Sequence, residues 1–458
     1  MFARKHEDSK DDEDVKALRG ANALIYVRPS NIALIDRRVL KSYNFSSNSY
    51  ELGSTFQIIC NSGGDSVWGP SSYMRLEYTS GGGLDFGLGS ILNIFKSVRA
   101  THRSGEILEY TDNINVLANL KRYWAYKRDD RVKLDGLLGT AAAVYSNAPG
   151  NGVHVACIPM SILLGIFDSK TQYMPASMCA GMKLEFELAP LQIISTVPTA
   201  TLTAMKPTLL LDSAQLYDVV NKQLLEEQAD VDESGIQFTY TTYFNSSAVT
   251  ASNAVNIDIQ QSASLVSQII AVTRDNNIVS SALTGADAFQ YIQPFSQAQF
   301  RLGSLYWPQQ IINVPTGATW SVTQTNSQEW YGISLQAFQS YVDEFHKAAG
   351  GDSAIQFQLG TVVDLSGNSW TNGKPCLAFT GEKSACGLEL TGEPTNNSRI
   401  LNLSASIGEA TGASGAYPPA GPLAAQPYAY TLTQVRVDTF LAYTRCANLM
   451  GDNAVVDR

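Results

Sequence analysis

Residues 153–190 read VHVACIPMSILLGIFDSKTQYMPASMCAGMKLEFELAP, and the fold turns on how this stretch divides. At its end Leu184, Phe186 and Leu188 alternate with Lys183, Glu185 and Glu187, the period of a strand with one buried face. Upstream, Ile158-Pro159-Met160-Ser161-Ile162-Leu163-Leu164-Gly165-Ile166-Phe167 is a single apolar run. Pro159 and Pro175 punctuate it, and a helix continued through either would lose a hydrogen bond and clash with the preceding turn. The run is therefore expected as a short buried helix or loop that starts at Pro159 and ends near Gly165. Val153 to Cys157 leads in as a strand, and Lys183 to Ala189 leads out as another. No catalytic residue lies in the stretch.

A chain of 458 residues has room for two β domains of about 200 residues each, and burying a core is no difficulty at this size. Charged residues make up 16%, against roughly 25% in an ordinary soluble protein. That profile suits a β-rich protein with a neutral outer surface, as when much of the surface is buried in an assembly. A secreted β protein with a hydroxyl-rich surface fits the composition as well. The net charge of -10 and the lack of a basic arm disfavour nucleic-acid binding by bulk electrostatics. The run from Arg4 to Lys16 is mostly acidic and is expected as a solvated tail. Met1-Phe2-Ala3-Arg4-Lys5 passes directly into charge, so no secretory signal is expected, and no apolar run approaches the ~20 residues that cross a bilayer. The sequons at Asn44, Asn245 and Asn402 are accordingly expected to be idle. Cys60, Cys157, Cys179, Cys376, Cys386 and Cys446 are read as reduced core residues, with a Cys376–Cys386 bridge as the alternative.

In chain order, strands are expected at Gly53–Cys60 and Tyr73–Tyr78, the latter with Met74, Leu76 and Tyr78 on one face. Gly89–Arg99 fits helix and strand alike. Asp112–Tyr126 has helical spacing, with Asp112 as its cap. After a strand at Thr208–Leu211 comes an amphipathic piece at Leu216–Glu227. Strands resume at Ile236–Phe244, Val255–Ile259 and Leu265–Thr273. Arg301–Gln310 is read as a strand running into a segment that ends at Pro308. Ser334–Ala348 gives the best helical pattern. Ile355–Asp364, Pro375–Thr380, Arg399–Ile407 and Gln434–Thr444 complete the strands, with a Gly/Ala/Pro loop at Gly408–Pro427. Two successive runs of strands with long loops and a few short helices argue for a mainly β chain of two tandem jelly-roll sandwiches. The expected division is an acidic tail at 1–19, a first roll at 20–212 and a second at 213–458. One irregular β domain with insertions is the alternative.

Catalytic constellations are missing from the sequence. Only four histidines occur, His6, His102, His154 and His346, and there is no HExxH, CxxC pair, GxSxG or GxxxxGK[ST]. His154 and Cys157 are three apart in an alternating strand, which puts them on opposite faces. Gly81–Gly89 (GGGLDFGLG) lacks the Lys-Ser or Lys-Thr of a phosphate loop and is read as a flexible hairpin tip. Asp230-Val231-Asp232-Glu233 lacks the spacing of a calcium loop. Trp307, Trp320, Trp330 and Tyr331 could line a glycan site, but core or subunit interface is the preferred reading. No catalytic, cofactor or metal residue is assigned, no cofactor is expected, and the chain is read as a non-enzyme.

Several segments together resemble the major capsid proteins of tailless icosahedral DNA viruses built from two jelly rolls per chain. These are Ile91–Arg99 followed by Ser104-Gly105-Glu106-Ile107-Leu108-Glu109, the IPMSILLGIF run with YMPASMCAGMKLEFELA, the restart near Thr208, and Arg301-Leu302-Gly303-Ser304-Leu305-Tyr306-Trp307-Pro308. An apolar run, a loop and an alternating strand shortly before mid-chain look like the closing strands of such a first roll. The chain is shorter than many of these proteins, so a single jelly roll with large insertions stays open.

The resemblance implies a homotrimer of pseudo-hexagonal outline that builds an icosahedral shell. Its partners would be further copies and other capsid proteins such as a penton, with no direct nucleic-acid contact. It would be a virion component assembled in the host cell interior and not secreted. The alternative function is a carbohydrate-binding or adhesion β protein, a viral spike or a lectin-like module. If the IPMSILLGIF run is core of the first roll, Leu164→Asp abolishes soluble trimer; recovery of normal trimer from that variant would count against the placement.

Overall fold

The computed structural model describes residues 35–45, 47, 49–61, 64–86, 89–124, 128–139, 148–169, 172–195, 197, 199–217, 236–250, 254–261, 263–275, 295–302, 305–313, 361–363, 369–371, 376–380, 393–395, 401–407, 435–450 and 453–456. The decisive stretch divides where its prolines stand. The lead-in strand runs Gly152–Pro159, and Pro159 opens a one-turn helix at Met160–Leu163. A 3-10 turn follows at Gly165–Phe167, Pro175 opens a second short helix at Ala176–Cys179, and the alternating strand runs Met182–Leu188. From Ile162 to Phe167 every residue is buried.

Eight strands form the first unit: β1 (Ile35–Asn44), β2 (Thr55–Cys60), β3 (Ser66–Gly81), β4 (Phe95–Thr101), β5 (Ile107–Asp112), β6 (Gly152–Pro159), β7 (Met182–Leu188) and β8 (Thr201–Leu216). They pair antiparallel as β1 with β8, β2 with β7, β3 with β6 and β4 with β5. This nest of partners, widest in sequence on the outside and a hairpin at the centre, is a jelly roll. Its two sheets have the orders β1-β8-β3-β6 and β2-β7-β4-β5. Met74, Leu76, Tyr78, Leu209 and Leu211 of the first sheet face Phe56, Leu184 and Phe186 of the second across one core. Phe56 stacks on Phe186 with ring centroids 5.1 Å apart, and Phe45 meets Phe56 edge-on at 5.0 Å.

The remaining strands are β9 (Ile236–Thr250), β10 (Ala254–Ile259), β11 (Ala263–Asp275), β12 (Phe295–Leu302), β13 (Leu305–Asn313), β14 (Thr361–Val363), β15 (Ser369–Thr371), β16 (Cys376–Thr380), β17 (Glu393–Thr395), β18 (Leu401–Ile407), β19 (Val435–Met450) and β20 (Asn453–Val456). Here β9 pairs with β19, β10 with β18, β11 with β16 and β12 with β13, so the nest of the first unit recurs. One sheet has the order β10-β18-β12-β13; the other holds β16-β11-β19 with β9 on the far side of β19, and β17 and β20 as additions. Val255, Ile257, Leu403, Phe300, Ile269 and Leu441 fill the space between them. The chain is thus mainly β, with two jelly rolls in tandem.

Several expectations are corrected. Gly89–Arg99 is both elements in turn, a 3-10 helix at Ile91–Ile94 capped by the Ser90 hydroxyl and then β4. Asp112 is not the cap of the helix Ile114–Trp124; Asn113 stands there at φ +50°, and Asp112 accepts its N–H at 2.9 Å. The strand expected at Thr208–Leu211 is part of a 16-residue strand. Pro308 does not end its strand but lies inside β13. That is tolerated because β13 is an edge strand, and a register break between Ala298/Ile312 and Phe300/Trp307 takes Pro308 out of the ladder. Residues 81–86, the described start of the stretch read as a flexible hairpin tip, are packed instead. Leu84 and Phe86 are fully buried, and a Cβ on Gly82 would sit 2.3 Å from the Thr199 carbonyl oxygen. The acidic tail, the amphipathic piece at 218–227, the helix expected at Ser334–Ala348 and the loop at Gly408–Pro427 lie outside the described residues.

Outer strands are tied by charge as well as by the ladder. Arg38 on β1 forks onto the Asp212 carboxylate on β8, with Nε at 2.7 Å, and the Ser71 hydroxyl of β3 donates to the same carboxylate. Bonding to Arg38 first, and then to Ser71, holds the Asp212 carboxyl below its ordinary range against the opposing effect of burial. A depressed folded-state pKa contributes stability that is present above the unfolded value near ~3.9 and is lost as pH falls through the folded one. With the Arg38 side chain about half exposed, Asp212→Asn is expected to cost roughly 1–2 kcal/mol at pH 7 in urea unfolding. The gap from wild type should close below about pH 4, and parallel stability curves down to acid pH would refute the assignment.

Candidate functional site

The two rolls meet along a seam in which charged groups are fully buried. The first roll contributes β5, the end strand of its sheet, and the 3-10 turn Gly165–Phe167; the second contributes β9 and β19. Apolar contact makes up the bulk of it, since Phe238, Tyr240, Ile270, Val272, Phe440 and Ala442 of the second roll belong to the core cluster of the first. Residues Val437 to Tyr443 are all buried as a consequence, because one face of β19 packs on its own roll and the other on its neighbour.

Side chains join the strands without extending a ladder. Tyr240 donates its hydroxyl to the Leu108 carbonyl at 2.5 Å, and Arg445 Nη1 donates to the same oxygen at 2.8 Å. Thr111 Oγ1 donates to the Tyr243 carbonyl at 3.1 Å, and Asn113 Nδ2 to Asn245 Oδ1 at 3.0 Å. The Leu108 carbonyl of β5, an edge-strand group that would otherwise invite pairing with another chain, is occupied in this way.

Glu109 lies at the centre. It is 1% exposed, and its two carboxylate oxygens accept the N–H groups of Gly165 at 2.9 Å and Ile166 at 3.0 Å. Two backbone donors at the start of a buried turn, which no helix could satisfy, are thereby met by one side chain. Burial pushes the carboxyl above its ordinary range, while the bonds from Ile166 and Gly165, the charge of Lys121 and the Thr242 hydroxyl pull it back. Lys121, on the helix Ile114–Trp124, is driven the other way by burial and held up by Asp168 and Glu109. Its Nζ sits 4.2 Å from the centroid of the Tyr243 ring, a cation–π contact between the rolls. Gly165 is required by space, because a Cβ there would lie 1.7 Å from the Thr241 carbonyl oxygen of β9.

Residues weighed in the sequence lie elsewhere. His154 faces inward against Tyr78, with ring centroids 5.5 Å apart, and Cys157 is on the opposite face of β6. His102 is buried in the turn after β4, its Nδ1 2.8 Å from Ser104 Oγ and also accepting the Ser104 N–H at 3.2 Å, so it serves its own turn. Cys60, Cys157, Cys179 and Cys446 are free thiols, and burial raises the Cys60 thiol to about 12. Among the described residues no cluster of His, Cys, Asp and Glu could hold a metal ion. Trp307 lies in β13; His6, Asp230–Glu233, Trp320, Trp330, Tyr331, His346 and Cys386 fall outside the described residues. Sequence reasoning missed the seam because Glu109 reads there as an ordinary polar position. The one available signal was the unbroken apolar run Phe440-Leu441-Ala442-Tyr443, which marks a strand buried on both faces.

Glu109→Gln keeps the shape but turns an NH2 toward one of two N–H donors, and should cost roughly 1–3 kcal/mol in thermal or denaturant unfolding. Gly165→Ala is expected to cost at least as much, since the rolls must part to admit the methyl. Wild-type stability in both variants would show that the seam is not held there.

No protein-family model matches the sequence, and no curated protein matches it. Solved structures do match in fold. The chain is similar to PBCV-1 VP54, as fitted into a reconstruction of the virophage Sputnik, with a TM-score of 0.59 and 10% identity over 95% of this chain and 100% of that one. It is similar to the Faustovirus major capsid protein at a TM-score of 0.51 and 8% identity, covering 93% of each chain. The mavirus major capsid protein gives 0.50 and 9%, over 94% of this chain and 92% of that one. With identities this low the likeness is one of fold: this chain has the fold of jelly-roll viral major capsid proteins.

Proposed function

We propose that the chain is a viral major capsid protein that trimerises into pseudo-hexameric capsomers and builds an icosahedral shell. The observation that carries this reading is the pair of like jelly rolls fixed side by side by a buried seam, in a fold shared over nearly the whole chain with major capsid proteins. Two like units per chain give a trimer six, which suits a hexagonal outline. The proposed division is a tail at 1–19 and two rolls that part after β8, which carries the first roll past the expected boundary at 212 to Leu216. Its partners are further copies and other shell proteins such as a penton, and its place is the virion, after assembly in the host cell interior. A net charge of -10 leaves genome neutralisation to other components. No catalytic role is assigned.

Apolar burial drives such assembly, and contacts between capsomers can be individually weak when a closed shell multiplies them. Light scattering with negative-stain imaging of the purified chain is expected to give compact trimers of near-hexagonal outline, or closed shells. A monomer at every concentration would overturn the reading and turn attention to glycan binding.

A further inference from the structure

The outer faces of two equivalent sheets carry the same pair of residues in the same setting. Strand for strand, β2-β7-β4-β5 of the first roll corresponds to β10-β18-β12-β13 of the second. Near the β4–β5 turn one row across the first sheet reads Gln57, Glu185, Arg99 and Tyr110. Near the β12–β13 turn a row of the second sheet reads Asp258, Asn402, Arg301 and Tyr306. Arginine on β4 thus answers arginine on β12, and tyrosine on β5 answers tyrosine on β13. All four turn outward: the Arg99 side chain is 43% exposed, Tyr110 52% and Tyr306 42%, and Arg301 is exposed as well. Exposed polar positions accept many residues at little cost to folding, so a pair repeated in rows that otherwise differ points to a demand from outside the chain. Each row also holds an acid. Glu185 Oε2 lies 3.9 Å from Arg99 Nε, and Asp258 Oδ1 accepts Asn402 Nδ2 at 2.6 Å.

We propose that these two rows are the points of contact between neighbouring capsomers, the acid, arginine and tyrosine of one copy docking on the same set of a copy in the next capsomer. The docking rests on the reading of the chain as a shell protein. The occupant is a second copy because each row is its own complement. Turned about a two-fold axis, the row of the first roll sets Arg99 over the other copy's Glu185 and Glu185 over the other copy's Arg99. The row of the second roll sets Arg301 over the other copy's Asp258. Either row complements the other too, since in both the acid, the arginine and the tyrosine follow in the same strand order. A capsomer of alternating unlike rolls needs that freedom, because it meets its neighbours through both. Arginine and tyrosine are the residues enriched where protein surfaces meet. The seam does not compete for this face: on β5 Glu109 and Thr111 are buried in it, and Tyr110 between them points out. Half-exposed charges give a contact that is individually weak and screened by salt, which a closed shell multiplies.

The test uses trimers of the full-length chain, with association between trimers followed by analytical ultracentrifugation and light scattering. Wild-type trimers should associate at low salt and separate toward about 1 M salt. Arg99→Glu with Arg301→Glu makes both rows acidic, and should leave the trimer intact while weakening association between trimers by about tenfold or more. Glu185→Lys with Asp258→Lys makes both rows basic and should do the same. Mixing the two variant trimers should restore association, because the acidic rows of one now meet the basic rows of the other. Should a variant not fold, a benzophenone-bearing phenylalanine in place of Tyr110 decides the matter. In light trimers mixed with separately formed heavy-isotope trimers it should cross-link to heavy peptides of β2, β4, β7, β10, β12 or β18. Wild-type trimers that stay single at low salt, association unchanged in the arginine variant, no recovery on mixing, or cross-links landing elsewhere would each overturn the docking while the shell reading stands. Unchanged association with loss of binding on a glycan array would likewise overturn it and assign the rows to a carbohydrate. A wild-type chain that never forms a trimer would overturn the shell reading, and the docking with it.

Discussion

A sheet with no free face governs this molecule. The strands β9, β19 and β11 must pack their inner face on the second roll and their outer face on the first, so neither roll is complete alone. An apolar surface of that kind left in water is an aggregation hazard, and covering it removes the hazard and fixes a neighbour in the same step. The order of elements follows from this demand. β5 has to be an end strand so that its edge can reach the sheet, and the apolar run after Pro159 has to turn tightly so that Gly165 can approach β9.

Charge inside the seam does a different job from apolar contact. Burying Glu109 and Lys121 costs desolvation that mutual attraction only partly offsets, so the pair is a poor source of stability. Its strength is direction. A carboxylate gripping two successive N–H groups tolerates little displacement, and an ammonium over an aromatic ring is similarly particular about place. Apolar faces alone would let two sandwiches slide; these contacts allow one setting.

Much of the first roll was legible in the sequence because it obeys local rules. The alternation from Met182 to Leu188, the stop and start at Pro159 and Pro175, and the face of Met74, Leu76 and Tyr78 each depend on neighbours within a few residues. Gly89–Arg99 was ambiguous for a physical reason, since a 3-10 helix passes into a strand midway. Pro308 misled because a proline argues against a central strand but says nothing against an edge with a register break. Glu109 could not be read at all. Its donors are 56 and 57 residues away, and a lone acidic residue in a strand carries no mark of what will cover it.

Likeness of topology between the rolls does not extend to their surroundings, and the difference is written in the strands. β8 alternates along most of its length, with Leu209 and Leu211 inside and Thr208 and Leu210 half exposed, whereas its counterpart β19 is buried through seven successive residues, Val437 to Tyr443. The same position in the same nest therefore needs two residue patterns, one for a sheet with a single neighbour and one for a sheet with two. Tandem rolls that met through identical faces would have evolved identical patterns and closed on themselves as a pair. Unlike faces leave the chain with a direction, and a rigid seam keeps that direction constant from copy to copy, which is the geometric condition for building anything larger from it.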